Sequence, residues 1–194
     1  MKHKISTLLT AALMLMVFTH GVSQSALLKA NKMTVQGSSS LHDWESEITK
    51  ADLKGEFLVS NNQLKEVKNV EVRIPVESIK STKGRLMDSK TYDAFNSSKN
   101  PNIVYTVTQA KVNPANGTID ATGTLTMAGV SKPMDLQAKY TMLDNGDIRL
   151  TLSRKFKMSE FKMDPPTAMM GTVKVGDEVT VNFDLVVNTK KIVQ

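Results

Sequence analysis

Apolar residues recur at every second position along most of this chain, and only an extended strand puts every second side chain on one face. Leu53, Gly55, Phe57 and Val59 share one parity. Val70, Val72, Ile74 and Val76 form a second set around Glu71 and Arg73. Pro75 in that run predicts a sheet edge or a bulge. Ile103, Tyr105 and Val107 make a third, and Ile119, Ala121, Gly123, Leu125 and Met127 a fourth. Met134, Leu136, Ala138, Tyr140 and Met142 follow, then Ile148, Leu150 and Leu152, and last Val179, Val181, Phe183, Leu185 and Val187. With an opening strand near Met33–Gln36, the chain carries about eight strands. The polar partners between them are mainly Thr, Asp, Asn, Lys and Arg, as in an antiparallel meander with one dry face and one wet face.

The connections agree. Asn113–Gly117, Ala128–Pro133 and Asp144–Asp147 each bring Gly or Asn to a short link, where positive φ is needed. Short links make strands adjacent in sequence adjacent in space. Gly84–Ser98 breaks the pattern: Leu86, Met87, Ala94 and Phe95 mix with Asp88, Lys90, Asp93 and Asn96 without alternation. The spacing predicts a helix over about Arg85–Asn96, stopped by Asn100-Pro101, with one apolar side covering an edge or end of the sheet.

Eight strands with one apolar face each hide those faces best by closing into a barrel, which also removes the edges. The fold class expected is therefore all-β, an eight-stranded antiparallel lipocalin-like barrel with one helix. Such a barrel is either just filled by its side chains or holds one small ligand. Gly55, Ala121, Gly123 and Ala138 are slim inward candidates, which favours a cavity unless each faces a large residue from another strand.

The N-terminus is read as a separate segment. Met1–Lys4 is basic, Ile5–Phe18 is mostly apolar, and Thr19–Ser25 is small and polar. This is the three-part pattern of a secretory signal peptide, with the cut placed near Ser25. The domains expected are a signal peptide over 1–25 and one barrel domain over 26–194, in a periplasmic or secreted protein. Removing Lys2 and Lys4 from 25 basic residues leaves 23 against 19 acidic ones, a net of +4. That mild charge is spread along the chain, so a nucleic-acid partner is not expected. No Cys is present, which excludes disulfides, thiolate nucleophiles and Cys-based metal sites. No paired acids, placed nucleophile or metal-ligand cluster stands out, so neither an enzyme nor a cofactor is expected. Outward positions rich in Thr, Asp, Lys and Asn argue against a barrel inserted in a membrane.

Three stretches carry a family resemblance. The first is Gly37-Ser38-Ser39-Ser40-Leu41-His42-Asp43-Trp44, followed by the strand through Leu53-Lys54-Gly55-Glu56-Phe57. The second is Tyr92-Asp93-Ala94-Phe95 with Asn100-Pro101-Asn102-Ile103-Val104-Tyr105. The third is Gly123–Pro133, together with Phe161–Thr167 and Gly176–Val181. In order and spacing the chain resembles the YceI-like family, the polyisoprenoid-binding, lipocalin-like β-barrels of bacteria. The resemblance implies a binding protein that holds the apolar tail of an isoprenoid, a quinone or another lipid-like amphiphile in its lumen and performs no chemistry. Covering apolar surface there gains roughly 25 cal/mol per Å². The alternative is a structural or interaction barrel with a filled core and a protein partner; a homodimer stays open.

The residues expected to line lumen and mouth are His42, Trp44, Phe57, Ile74, Tyr105, Leu125, Met127, Leu136, Tyr140, Leu152, Arg154, Phe161, Met169 and Phe183. Two readings compete for His42-Asp43-Trp44. They line the mouth, or Asp43 caps a turn and Trp44 plugs one barrel end; the plug is favoured, since a lone Trp is most often a packing anchor. Arg154 shares the inward parity of Leu150 and Leu152. Because an unpaired buried Arg is costly, a bulge or strand end turning it outward is expected. Phe161, Met163, Met169 and Met170 are read as a soft lip.

Overall fold

The computed structural model describes residues 27–189, so the expected signal segment lies outside the described residues. Eleven strands and one helix follow one another: β1 (Leu27–Ser39), β2 (Trp44–Ile48), β3 (Asp52–Ser60), β4 (Gln63–Pro75), β5 (Ile79–Ser81), α1 (Arg85–Phe95), β6 (Asn102–Asn113), β7 (Thr118–Met127), β8 (Val130–Met142), β9 (Ile148–Lys157), β10 (Thr167–Ala168) and β11 (Val173–Asn188). All eight strands read from the alternation are present. The expected count of eight is corrected by β2, β5 and β10, which have only five, three and two residues. Runs that short are too brief to display a period of two.

Every ladder is antiparallel. The strands line up as β3-β4-β6-β7-β8-β9-β11-β1-β2-β5, with β10 pairing off this path onto β11. The sheet curls until β1 packs against β3, but among the described residues no ladder joins them. The result is a half-barrel rather than the fully hydrogen-bonded barrel expected. Ser78 helps to close the seam: its Oγ donates to the Lys50 carbonyl at 3.0 Å, and its own carbonyl accepts from Thr49 N at 2.9 Å. Pro75 is neither edge nor bulge. It is the last residue of β4, opposite Asn102, where its missing N–H is cheap.

Two tight hairpins set the register. Asn61 and Asn62 (φ 52° and 55°) join Ser60 to Gln63, and Ala128 and Gly129 (φ 49° and 78°) join Met127 to Val130. Positive φ at both central residues is the twist that suits right-handed flanking strands. One ladder is short. β8 and β9 pair only through Lys139–Met142 against Ile148–Thr151, so the rest of β9, from Leu152 to Lys157, has β11 as its only ladder neighbour.

Helix α1 ends at Phe95, one residue before the expected limit, and Asn96 caps it in the left-handed conformation (φ 49°). It lies across the barrel end formed by β5 and the Val76–Ser78 turn. Buried Asp88 fixes it there, its Oδ1 accepting from Ser81 N at 2.6 Å. Tyr92 Oη donates to the Glu77 carbonyl at 3.0 Å.

Two apolar clusters form the core. One is built around Phe57, Leu64, Ile148 and Val187; the other around Tyr105, Met127, Met158, Phe161 and Val179. Phe95 of α1 packs against both.

Candidate functional site

Between the two clusters the sheet encloses a hollow of ≈ 540 Å³. That size is within the range of small-molecule sites. Its wall is built from inward positions of nearly every strand, as the period-two pattern requires. Phe57 and Ile74 come from β3 and β4, Tyr105 from β6, Leu125 and Met127 from β7, Leu136 from β8, Leu152 from β9 and Phe183 from β11.

The slim residues divide into two kinds. A Cβ on Gly55 would stand 2.8 Å from Val70 Cγ2 and 3.2 Å from the Phe57 ring, so that glycine is a seat for both side chains. A Cβ on Gly123 would stand 2.5 Å from the Thr106 carbonyl oxygen and 2.7 Å from the Tyr105 ring. That missing side chain lets the ring cross the wall until its hydroxyl donates to the Met134 carbonyl at 3.0 Å. Burial pushes the Tyr105 phenol up to about 12, with the Asp135 carboxylate adding to the rise and Arg154 opposing it. Ala121 and Ala138 face the hollow itself and leave it open.

Trp44 both packs and lines. Its ring covers Gly37 so closely that a Cβ there would meet it at 2.5 Å, and its Nε1–H donates to the Ser38 carbonyl at 3.0 Å. The same ring forms part of the wall. His42 also reaches the hollow, from an exposed turn held by Ser39 Oγ, which donates to the His42 carbonyl and accepts from the Leu41 and His42 amides. The imidazole Nδ1–H donates to the Asp43 backbone carbonyl at 2.8 Å, not to its carboxylate.

Arg154 corrects the expectation of a bulge. β9 runs in unbroken register with β11 from Ile148 to Lys157, and Arg154 lies opposite Val181. Regular pleating therefore keeps the guanidinium on the inner face, where it lines the hollow. It forms no hydrogen bond or ion pair with any described residue. The energetic objection to an inward Arg is relieved because the side chain stays exposed, on the stretch of β9 that β8 leaves uncovered.

Three expected lining residues are placed differently. Tyr140 packs beside the first core cluster, outside the wall of the hollow. Phe161 is fully buried in the turn Met158–Phe161 and stacks edge-on against Phe156 at 5.9 Å, so it supports a lining residue rather than lining. The Met169 side chain lies outside the described residues. Of the lip read around them, Met163 is buried against the hollow and Met170 projects into solvent.

The charges of the wall have one sign. Among the described residues, Lys83, Lys90 and Arg154 line the hollow and no Asp or Glu does. Among the described residues no three His, Asp or Glu converge as a metal site would require.

The YceI-like domain family matches residues 22–187. The chain belongs to the YceI-like family. Solved structures share its fold. Burkholderia cenocepacia BcnA superposes with a TM-score of 0.65 at 16% identity, over 80% of this chain and 95% of that one. The Campylobacter jejuni YceI protein gives 0.59 at 25%, over 75% and 85%. A polyisoprenoid binding domain from Saccharophagus degradans, implicated in plant cell wall breakdown, gives 0.63 at 15%, over 87% and 100%. The search of curated proteins returned no match.

Several lining residues of this YceI-like chain escaped the strand-based reading. Met87, Lys90, Thr91, Ala94 and Phe95 of α1 all face the hollow. Their spacing of three, one, three and one is the stripe of a helix face. The sequence marks only an apolar covering side through Met87, Ala94 and Phe95, without Lys90 or Thr91; what that side covers is the ligand-sized space.

Proposed function

We propose that this chain is an exported carrier that holds the apolar tail of an amphiphile, such as an isoprenoid or a quinone, inside the half-barrel and performs no chemistry on it. The observation that carries this reading is the hollow itself: ≈ 540 Å³, walled by aliphatic and aromatic side chains, with its polar groups few and dispersed. Burying a tail there removes apolar surface from water on both partners. The association cost is moderated because the wall is preformed. Membership of the YceI-like family supports the reading, as does the fold shared with a polyisoprenoid binding domain. Export rests on the signal pattern of residues 1–25, and cleavage near Ser25 is checked by the intact mass of the protein from fractionated cells. An open hollow favours a carrier over a filled barrel that binds only a protein partner.

Trp44 is the sole tryptophan and lines the hollow, so its emission reports occupancy. Delipidated protein titrated with farnesol or a short-chain ubiquinone is expected to show saturable change with micromolar affinity. Ala121→Trp, which projects bulk into the same space, is expected to weaken binding at least tenfold while keeping the strand signature in circular dichroism; for that variant, displacement of a bound fluorescent lipid replaces the intrinsic signal. No saturable change in the wild type, or equal affinity in the folded variant, contradicts the carrier reading.

A further inference from the structure

Resting on the carrier reading, we propose that the hollow selects amphiphiles with an anionic head group, a carboxylate or a phosphate, and that Arg154 is the residue that holds it. Four observations support this. First, among the described residues the charged side chains lining the hollow are Lys83, Lys90 and Arg154, with no carboxylate. Second, Arg154 is inward by unbroken register and has no hydrogen-bond or ion-pair partner among the described residues. Arginines elsewhere in the sheet are paired: Arg149 with Asp184, and Arg73 with Glu71. Third, its same-face neighbours on β9, Leu152 and Phe156, and Val181 opposite are all apolar, so none of them supplies the counter-charge that a ligand head would bring. Fourth, β8 leaves this stretch of β9 uncovered, so the head is held where water still reaches it and its desolvation is incomplete.

The chemistry suits the residue. A planar guanidinium offers paired N–H donors that match two oxygens of a carboxylate or phosphate. Lys83 and Lys90, before and on α1, add positive potential at the helix-covered end without that geometry. A quaternary ammonium head meets three like charges and no counter-charge, and a neutral alcohol gains at most a single neutral-acceptor bond.

The test compares heads on one tail. Dodecanoate, dodecyl phosphate, dodecanol and dodecyltrimethylammonium, each below its micelle threshold, are titrated into delipidated protein and followed by Trp44 emission. Farnesyl phosphate and farnesol repeat the comparison on an isoprenoid tail. An anionic head is expected to bind about tenfold tighter than the alcohol, and the ammonium weaker than the alcohol. Comparing dodecanoate with dodecyl phosphate identifies which anion is the better fit. In Arg154→Ala the anion-to-alcohol ratio is expected to fall to near one; Arg154→Lys is expected to keep an intermediate ratio. Lys83→Gln/Lys90→Gln is expected to reduce the ratio less than Arg154→Ala does. Circular dichroism and thermal unfolding establish that each variant is folded, and Arg154→Gln replaces Arg154→Ala should the latter unfold.

Equal binding of anion and alcohol by the wild type overturns the proposal and leaves the carrier reading standing. So does a drop of both by the same factor in the folded Arg154 variant. Loss of the preference only in the lysine variant overturns the assignment to Arg154. Binding of none of the probes overturns both readings together.

Discussion

Tyr105 shows how single residues shape the hollow. Its ring passes through the space Gly123 leaves, and its hydroxyl spans from β6 to β8. Tyr105→Phe removes that hydrogen bond and is expected to cost about 1 kcal/mol in urea unfolding. It also changes the response to alkali. The phenol is held at about 12 in the fold, above its usual 10, so the folded state keeps the proton longer than the unfolded chain. Stability from this group is therefore full below pH 10 and is lost as pH rises toward 12. Tyr105→Phe should lose less stability across that window than the wild type; equal slopes contradict this reading. Little of it was legible in the sequence. The alternation placed Tyr105 inside and marked Gly123 as slim, but that the two fit each other depends on strand pairing, which parity alone does not give. Arg154 departs from expectation for a related reason: the cost of burying an Arg argues for an outward side chain, but β8 and β9 part company beyond Thr151 and leave an inward Arg154 exposed.

At the scale of elements, legibility followed length. The eight longer strands each repeat the two-residue period enough times to stand out, whereas β2, β5 and β10 do not; β2, with only four strand residues after Trp44, therefore reads as a turn with a plug. Helix α1 was legible from its broken alternation and its Asn100-Pro101 stop, but its anchoring was not. Asp88 lies on the helix and satisfies a backbone amide of β5, with Lys80 Nζ at 3.8 Å. Asp88→Ala leaves the Ser81 amide without its acceptor and is expected to destabilise the protein by about 1–3 kcal/mol, with amide exchange quickening first in α1. Asp88→Asn retains an acceptor oxygen and should lose less. Uniform exchange across α1 and the sheet in Asp88→Ala would contradict a local role for this contact.

For the whole molecule, the relevant quantity is the space left inside. A domain of this size gains most of its stability from burying apolar side chains, yet here a large share of inward residues face a hollow rather than one another. Residues bordering a void forgo dispersion contacts that a filled core would supply. A ligand that binds only the folded state restores them and raises stability by mass action. The slim inward residues pose this question in the sequence, and the fold answers it in both directions: the two glycines seat large neighbours, and the two alanines leave room.

The most direct measurement is native mass spectrometry of the protein purified, without detergent or delipidation, from the cells that make it. A carrier is expected to appear as a mature chain with one non-covalent adduct of lipid mass, released on collisional activation and depleted in Ala121→Trp. A wild-type spectrum with the bare chain alone, from protein that also fails to take up farnesol or ubiquinone afterwards, would contradict it.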